Sequence, residues 1–129
     1  MIEKHPLKKK NLKIGIVGPC SSGKTTLING LSKHGYSARH IAQEHSYVPD
    51  MWKRIAAPDI LIYLDVSYST SMLRRPLNLS EEEFEEQNRR LSHAKKDANY
   101  YLHTDLLSVQ EVLESVTDYL KSVVTGEIK

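Results

Sequence analysis

The segment 12–18, "LKIGIVG", is almost continuously apolar and ends in glycine. That is the pattern of a strand buried on both faces of a parallel sheet. Directly after it, Leu27, Ile28 and Leu31 recur at helical spacing through 24–35, and Gly35 supplies a stop. Residues 36–43 predict a second, weaker strand, and 48–56 predict a short helix bounded by Pro49 and Pro58. The strongest strand signal is 59–66, "DILIYLDV", followed by a predicted helix over 67–75 that "PLNL" (76–79) interrupts. A long helix is expected from 80 to 99. There Ser80 and Glu83 fit a capping box, Phe84, Leu91 and Ala98 repeat at heptad spacing, and an acidic start and basic end suit the helix dipole. Residues 100–104 predict a last strand. Ser108 and Glu111 fit a second capping box, opening a helix with Val109, Val112, Leu113, Val116 and Leu120 inward.

Strands alternating with helices in this way predict a doubly wound α/β sandwich with a mainly parallel sheet. Residues 12–125 read as one such domain and 1–11 as a basic tail, with no internal repeat or linker.

Composition narrows the picture without naming a function. The 129 residues are 40% hydrophobic and 26% charged, ordinary values for a soluble globular protein. The net charge is +2, with Lys8, Lys9, Lys10 and Lys13 clustered near the start. No aromatic residues interleave with them as base stacking requires, so the tail reads as a solvated segment and nucleic acid is not an expected partner. Cys20 is the one cysteine, which excludes an intrachain disulfide and fits a reducing compartment. No stretch approaches the roughly 18 apolar residues of a membrane span, and no secretory signal pattern opens the chain. The expected location is the cytoplasm, with no membrane partner.

The chemistry begins at Gly18-Pro19-Cys20-Ser21-Ser22-Gly23-Lys24-Thr25, which satisfies the phosphate-loop pattern G-x-x-x-x-G-K-[ST] at every fixed position. Its context, between a buried strand and an amphipathic helix, is the one the motif needs. Gly18 and Gly23 let the backbone turn and approach an anion. Successive amides and the helix N-terminus supply positive potential. Lys24 is placed to reach the β- and γ-phosphates, the Thr25 hydroxyl to join Mg²⁺, and Thr26 to touch the α-phosphate. Pro19, Cys20, Ser21 and Ser22 fill the variable positions. No His/Cys cluster has metal-ligand spacing along the chain, so a zinc site is not expected.

From Lys13 to Ser122 the chain resembles the phosphate-loop (P-loop) NTPase superfamily, and within it the small-molecule, nucleoside- and nucleotide-kinase-like branch. "GPCSSGKTTL" carries most of the likeness. "PDILIYLDVSYSTSMLRR" is similar to the core strand, terminal aspartate and helix running to arginines in those kinases, and "YYLHTDLLSVQEVLESVTDYL" to their last strand, base-bordering loop and helix. The resemblance implies ATP and Mg²⁺ as cofactors, and lid arginines, Arg74 and Arg75, that neutralise charge on the moving phosphoryl group. Arg89 and Arg90 are second candidates, against a reading as solvated helix charges paired with Glu82, Glu85 or Glu86. The segments 45–58 and 76–79 are short. The lid is therefore expected to be minimal and an acceptor-binding insertion absent, which suits a small acceptor or water.

Two carboxylates compete for the water-mediated contact to the metal. Asp65 closes "ILIYLD" and Glu44 closes "ARHIAQE". The kinase resemblance favours Glu44, as metal-linked group or general base, and leaves Asp65 as an N-cap of the helix that follows. His45 beside Glu44 reads as structural, and Met51 and Trp52 as core or interface.

Three functions are compatible with such a loop. A small-molecule kinase would transfer the γ-phosphoryl group of ATP to an unidentified acceptor, using Lys24, Glu44, Arg74 and Arg75. A nucleotide-binding module or weak ATPase would act through a protein partner or as an oligomer. A GTPase switch is disfavoured, because the nearest guanine-reading match, "AKKD" (94–97), lies inside the long predicted helix and no DxxG follows a strand.

Overall fold

In a computed structural model, which describes residues 12–75 and 78–124, four parallel strands form one sheet. The strands are β1 (Ile14–Val17), β2 (Ala38–His40), β3 (Ile60–Asp65) and β4 (Tyr100–His103), in the order β2-β1-β3-β4. Helix α1 (Lys24–Lys33) follows β1, α2 (Tyr68–Arg74) follows β3, α3 (Glu81–Asp97) precedes β4, and α4 (Val109–Val124) closes the described chain. The expected basic tail, residues 76 and 77 of the segment expected to form a minimal lid, and residue 125 lie outside the described residues.

The sheet is a three-layer sandwich because its two central strands are apolar on both faces. Ile14 and Ile16 of β1, with Ile60, Ile62 and Leu64 of β3, pack against Leu27, Leu31, Val116 and Leu120 of α1 and α4. Residues of opposite parity, Val17, Leu61 and Tyr63, pack on the other face against Leu91 and Ala94 of α3. Period-two alternation along a strand thus assigns each side chain to a helix layer.

Both predicted capping boxes form. Ser80 Oγ accepts from the Glu83 amide at 3.1 Å while Glu83 Oε1 accepts from the Ser80 amide at 2.8 Å. Ser108 and Glu111 exchange the equivalent pair at 3.0 and 2.8 Å.

Four expectations need correction. The strand expected over 36–43 is only Ala38–His40, and Gln43–His45 is a single 3-10 turn. The helix expected over 48–56 is a π-helical turn, Trp52–Ala56, ended by Ala57 at φ +43°. Val109 is 65% exposed, because it stands at the open first turn of α4, beyond the reach of the sheet. Asp65 does not cap α2; Ser67 does, its hydroxyl accepting from the Thr70 amide at 3.3 Å.

The chain leaves β1 for β2 on one side and returns to β3 on the other. The carboxyl end of β1 is therefore the point where strand order reverses, the crevice in which open α/β sheets bind ligands.

Candidate active site

The phosphate-loop motif occupies that crevice. A Cβ on Gly18 would lie 2.1 Å from the Leu64 carbonyl oxygen, so only glycine lets the loop pass so close to β3. Gly23 sits at φ +101° at the N-cap of α1, a conformation costly for any other residue. Between them Ser21 is held at φ +66°, left-handed backbone that costs a non-glycine residue about 1–2 kcal/mol. The first turn of α1 carries no acidic residue and no side-chain cap. Its free amides and the positive end of its dipole therefore face the loop, as anion binding requires.

Lys24 is 7% exposed, and its ammonium turns back into the loop, donating to the carbonyls of Gly18 at 2.5 Å and Pro19 at 3.0 Å. Glu44 Oε2 lies 3.2 Å from the same Nζ. Far from ending an exposed strand, Glu44 is 2% exposed in the 3-10 turn. Buried Gln43 fixes that turn: its Nε2 donates to the Val48 and Arg90 carbonyls at 2.8 and 3.2 Å, and its Oε1 accepts from the Trp52 amide at 2.9 Å. Arg90 donates to the Glu44 carbonyl at 3.4 Å. The carboxylate is thus presented to Lys24 by a braced turn.

Asp65 is placed differently. It shares strand parity with Leu61 and Tyr63 and so faces the α3 layer. Its Oδ2 accepts from the Tyr101 hydroxyl at 2.6 Å and lies 3.5 Å from Lys95 Nζ, while its Oδ1 accepts from the Val66 amide at 3.0 Å. Burial, together with the Asp65 carboxylate it bonds, pushes the Tyr101 phenol well above its ordinary value.

Arg74 reaches across the site. Nη1 donates to the Ser21 carbonyl at 3.2 Å and to Thr104 Oγ1 at 2.9 Å, and Nη2 donates to the Thr104 carbonyl at 2.5 Å. Thr104 Oγ1 in turn donates to the Asp65 carbonyl at 2.8 Å, which seats the loop after β4 on the end of β3. Arg75 is exposed on the same rim. Arg89 bonds Glu86. Arg90 bonds Glu86 at 3.2 Å and covers the Tyr47 ring at 4.3 Å. Neither arginine is among the residues lining the cavity. Trp52 is core, its Nε1 donating to His93 Nδ1 at 3.1 Å.

One cavity of about 560 Å³ gathers the loop residues Cys20 to Thr26 with Glu44, Arg74 and Arg75. Its far end is apolar, walled by Leu27, Leu107, Val112 and Leu113. The volume falls within the range of small-molecule sites. Among the described residues, Ser21 Oγ, Ser22 Oγ and Glu44 Oε1 are buried without a hydrogen-bond partner. Buried polar groups are normally satisfied, so three such atoms in one loop and its neighbour mark a place built for a polar ligand. A magnesium nucleoside triphosphate fits this donor set: free amides and Lys24 for phosphate, the exposed Thr25 hydroxyl and Glu44 for the metal.

Sequence reading missed Gln87, Thr104 and His40. Gln87 is buried on α3, accepting from the Cys20 amide at 3.1 Å and donating to Cys20 Sγ at 3.2 Å. Its signal was present, since it falls on the apolar stripe with Phe84, Leu91 and Ala94, where a polar side chain needs a reason. Thr104 and His40 carry no comparable signal. One group of possible ligand atoms does come together in space without motif spacing along the chain. Cys20, Glu44 and His45 each bring one ligand atom within 4.8 Å of the others, although they are distant or adjacent along the chain rather than at motif spacing.

No protein-family model matches the sequence, and no curated protein matches it. Two similar solved structures are of deoxyadenosine kinase from M. mycoides. With bound dCTP the TM-score is 0.62 at 16% identity, covering 87% of this chain and 100% of that one. With bound dATP it is 0.61 at 17% identity, covering 86% and 100%. At this identity the likeness shows the fold alone, an α/β fold around a four-stranded parallel sheet. No described helix is long and apolar enough to cross a membrane.

Proposed function

We propose that this chain is an ATP-dependent kinase for a small acceptor. The observation that carries the reading is the convergence, in one cavity, of the phosphate loop, a buried carboxylate 3.2 Å from the loop lysine, and two arginines in its wall. Phosphoryl transfer needs positioning and electrostatic stabilisation more than covalent chemistry, and this set supplies both.

In this reading the amides of Gly23, Lys24, Thr25 and Thr26, with the Lys24 ammonium, hold the triphosphate. The Thr25 hydroxyl and, through water, Glu44 hold Mg²⁺. Bound Mg²⁺ supplies neutralisation of the terminal phosphate oxygens. Glu44 is preferred to Asp65 because Asp65 is tied to Tyr101 and Lys95 on the other face. Where it is not needed for the metal, the buried Glu44 carboxylate accepts the acceptor's hydroxyl proton. Arg74 and Arg75 stabilise charge on the transferring group from the rim. The apolar end of the cavity suits a base or another flat, weakly polar group. The nucleotides named for the similar structures make deoxynucleosides the first acceptors to try. The location proposed is the cytoplasm.

A second reading is a nucleotide-binding module or weak ATPase completed by a partner or a second copy. Leu73 and Leu106 are 84% and 94% exposed, each beside a cavity-lining residue in the chain. ADP release from Mg·ATP separates the two readings, measured with and without nucleosides, sugars and small hydroxy acids beside a Lys24→Ala control. Acceptor-stimulated release lost in the control supports the kinase. Tight ATP binding without stimulation supports the module.

A further inference from the structure

We propose that Cys20, Glu44 and His45 form a binding site for a zinc-class divalent metal ion at the mouth of the phosphate loop. The three residues offer one sulfur, one carboxylate oxygen and one imidazole nitrogen, all within 4.8 Å of one another. Zinc bonds of about 2.0–2.3 Å place tetrahedral ligands roughly 3.5 Å apart. The His45 side chain is 61% exposed and its Nε2 lies 3.8 Å from Glu44 Oε2, so its ring has room to turn toward the other two ligands.

Independent support comes from the carboxylate. Glu44 is 2% exposed, yet its Oε1 accepts no hydrogen bond among the described residues, while Oε2 lies 3.2 Å from Lys24 Nζ and 3.8 Å from His45 Nε2. One oxygen is therefore engaged and the other has lone pairs to give.

The groups behind the ligands are in place too. Gln87 Nε2 donates to Cys20 Sγ, which holds the sulfur as an acceptor, and Arg90 grips the Glu44 carbonyl. Such supporting contacts set ligand orientation and metal affinity. His40 Nε2, 3.5 Å from Glu44 Oε2, is near enough to supply a fourth donor, as is water. Sulfur and imidazole select zinc, cobalt or copper over Mg²⁺, which prefers oxygen. On binding, the thiol proton leaves to solvent.

This inference rests on the proposed function only for its consequence. Zinc held here takes Glu44 away from the Mg²⁺ or acceptor role assigned to it above, so the site would oppose turnover.

The test is made without nucleotide. Cobalt(II) is titrated into the full chain in thiol-free buffer and read by near-ultraviolet thiolate-to-cobalt charge transfer. The wild-type chain should develop the band and saturate at one equivalent. Cys20→Ser should abolish it. His45→Ala should weaken zinc binding roughly tenfold or more, measured by competition with a chromophoric chelator. Absence of the band in the wild-type chain overturns the proposal, and so does zinc affinity unchanged in both variants. The wild-type result decides by itself if a variant fails to fold. A chain that never turns over ATP still passes or fails this test, so the two readings stand or fall separately.

Discussion

Gln87 holds Cys20 at two points, its Oε1 accepting the Cys20 amide and its Nε2 donating to the sulfur at 3.1 and 3.2 Å. The bond pair ties α3 to the variable part of the phosphate loop. Gln87→Met keeps the volume and removes both bonds. It should cost about 1–2 kcal/mol in urea unfolding and weaken ATP binding several-fold by calorimetry. Lost stability with unchanged ATP affinity would show that the tie serves only the fold.

Lys24 and Glu44 form a buried pair, and removing one partner leaves the other uncompensated. Lys24→Met should destabilise the chain by about 3 kcal/mol. The double variant Lys24→Met/Glu44→Gln should recover part of that loss, with a coupling of roughly 1–3 kcal/mol in a denaturation cycle. Additive effects would mean that the two side chains do not interact in solution. Both variants should lose ATP-dependent turnover.

Arg74 uses its fork to bridge Ser21 and Thr104. A lysine keeps the charge but cannot make that pattern. Arg74→Lys should therefore resemble Arg74→Ala, with turnover lowered on the order of 100-fold in acceptor-stimulated ADP release. Wild-type turnover in Arg74→Lys would reduce the residue to a point charge.

Asp105 gives a pH signature. Partial burial disfavours its charge, but hydrogen bonding with Ser67, whose amide donates at 2.9 Å, and the nearby His103 outweigh that and hold the carboxyl at about 2. A depressed folded value stabilises the chain above the unfolded value of 3.8, and the contribution is lost as pH falls through the folded value. The unfolding midpoint of the wild-type chain should exceed that of Asp105→Asn near pH 5. The margin should shrink between pH 3.8 and 2. A margin that does not change over that window would show the carboxyl to be unperturbed.

Local patterns were legible wherever one short segment sets its own geometry. The buried runs of β1 and β3, the two capping boxes and the phosphate loop each depend on neighbours within a few residues, and each is found where the sequence predicts it. Periodicity failed where polar side chains took over from apolar ones. Gln43 spends its amide bracing three backbone groups and so bends 43–45 into a turn instead of extending β2. The strand patterns offered Glu44 and Asp65 as rivals, and only the kinase resemblance favoured Glu44. Their different surroundings follow from the parity of β3 against a helix layer and the position of the turn after β2.

The sequence alone determined that this protein has a parallel α/β core around a phosphate loop, because hydrophobic period, capping and glycine placement are short-range properties. Only the tertiary structure decided which side chains the loop meets. Glu44 arrives at Lys24, Gln87 at Cys20, Arg74 at Ser21 and Thr104 through crossovers between strands. Such meetings depend on strand order and helix packing, which no local pattern encodes.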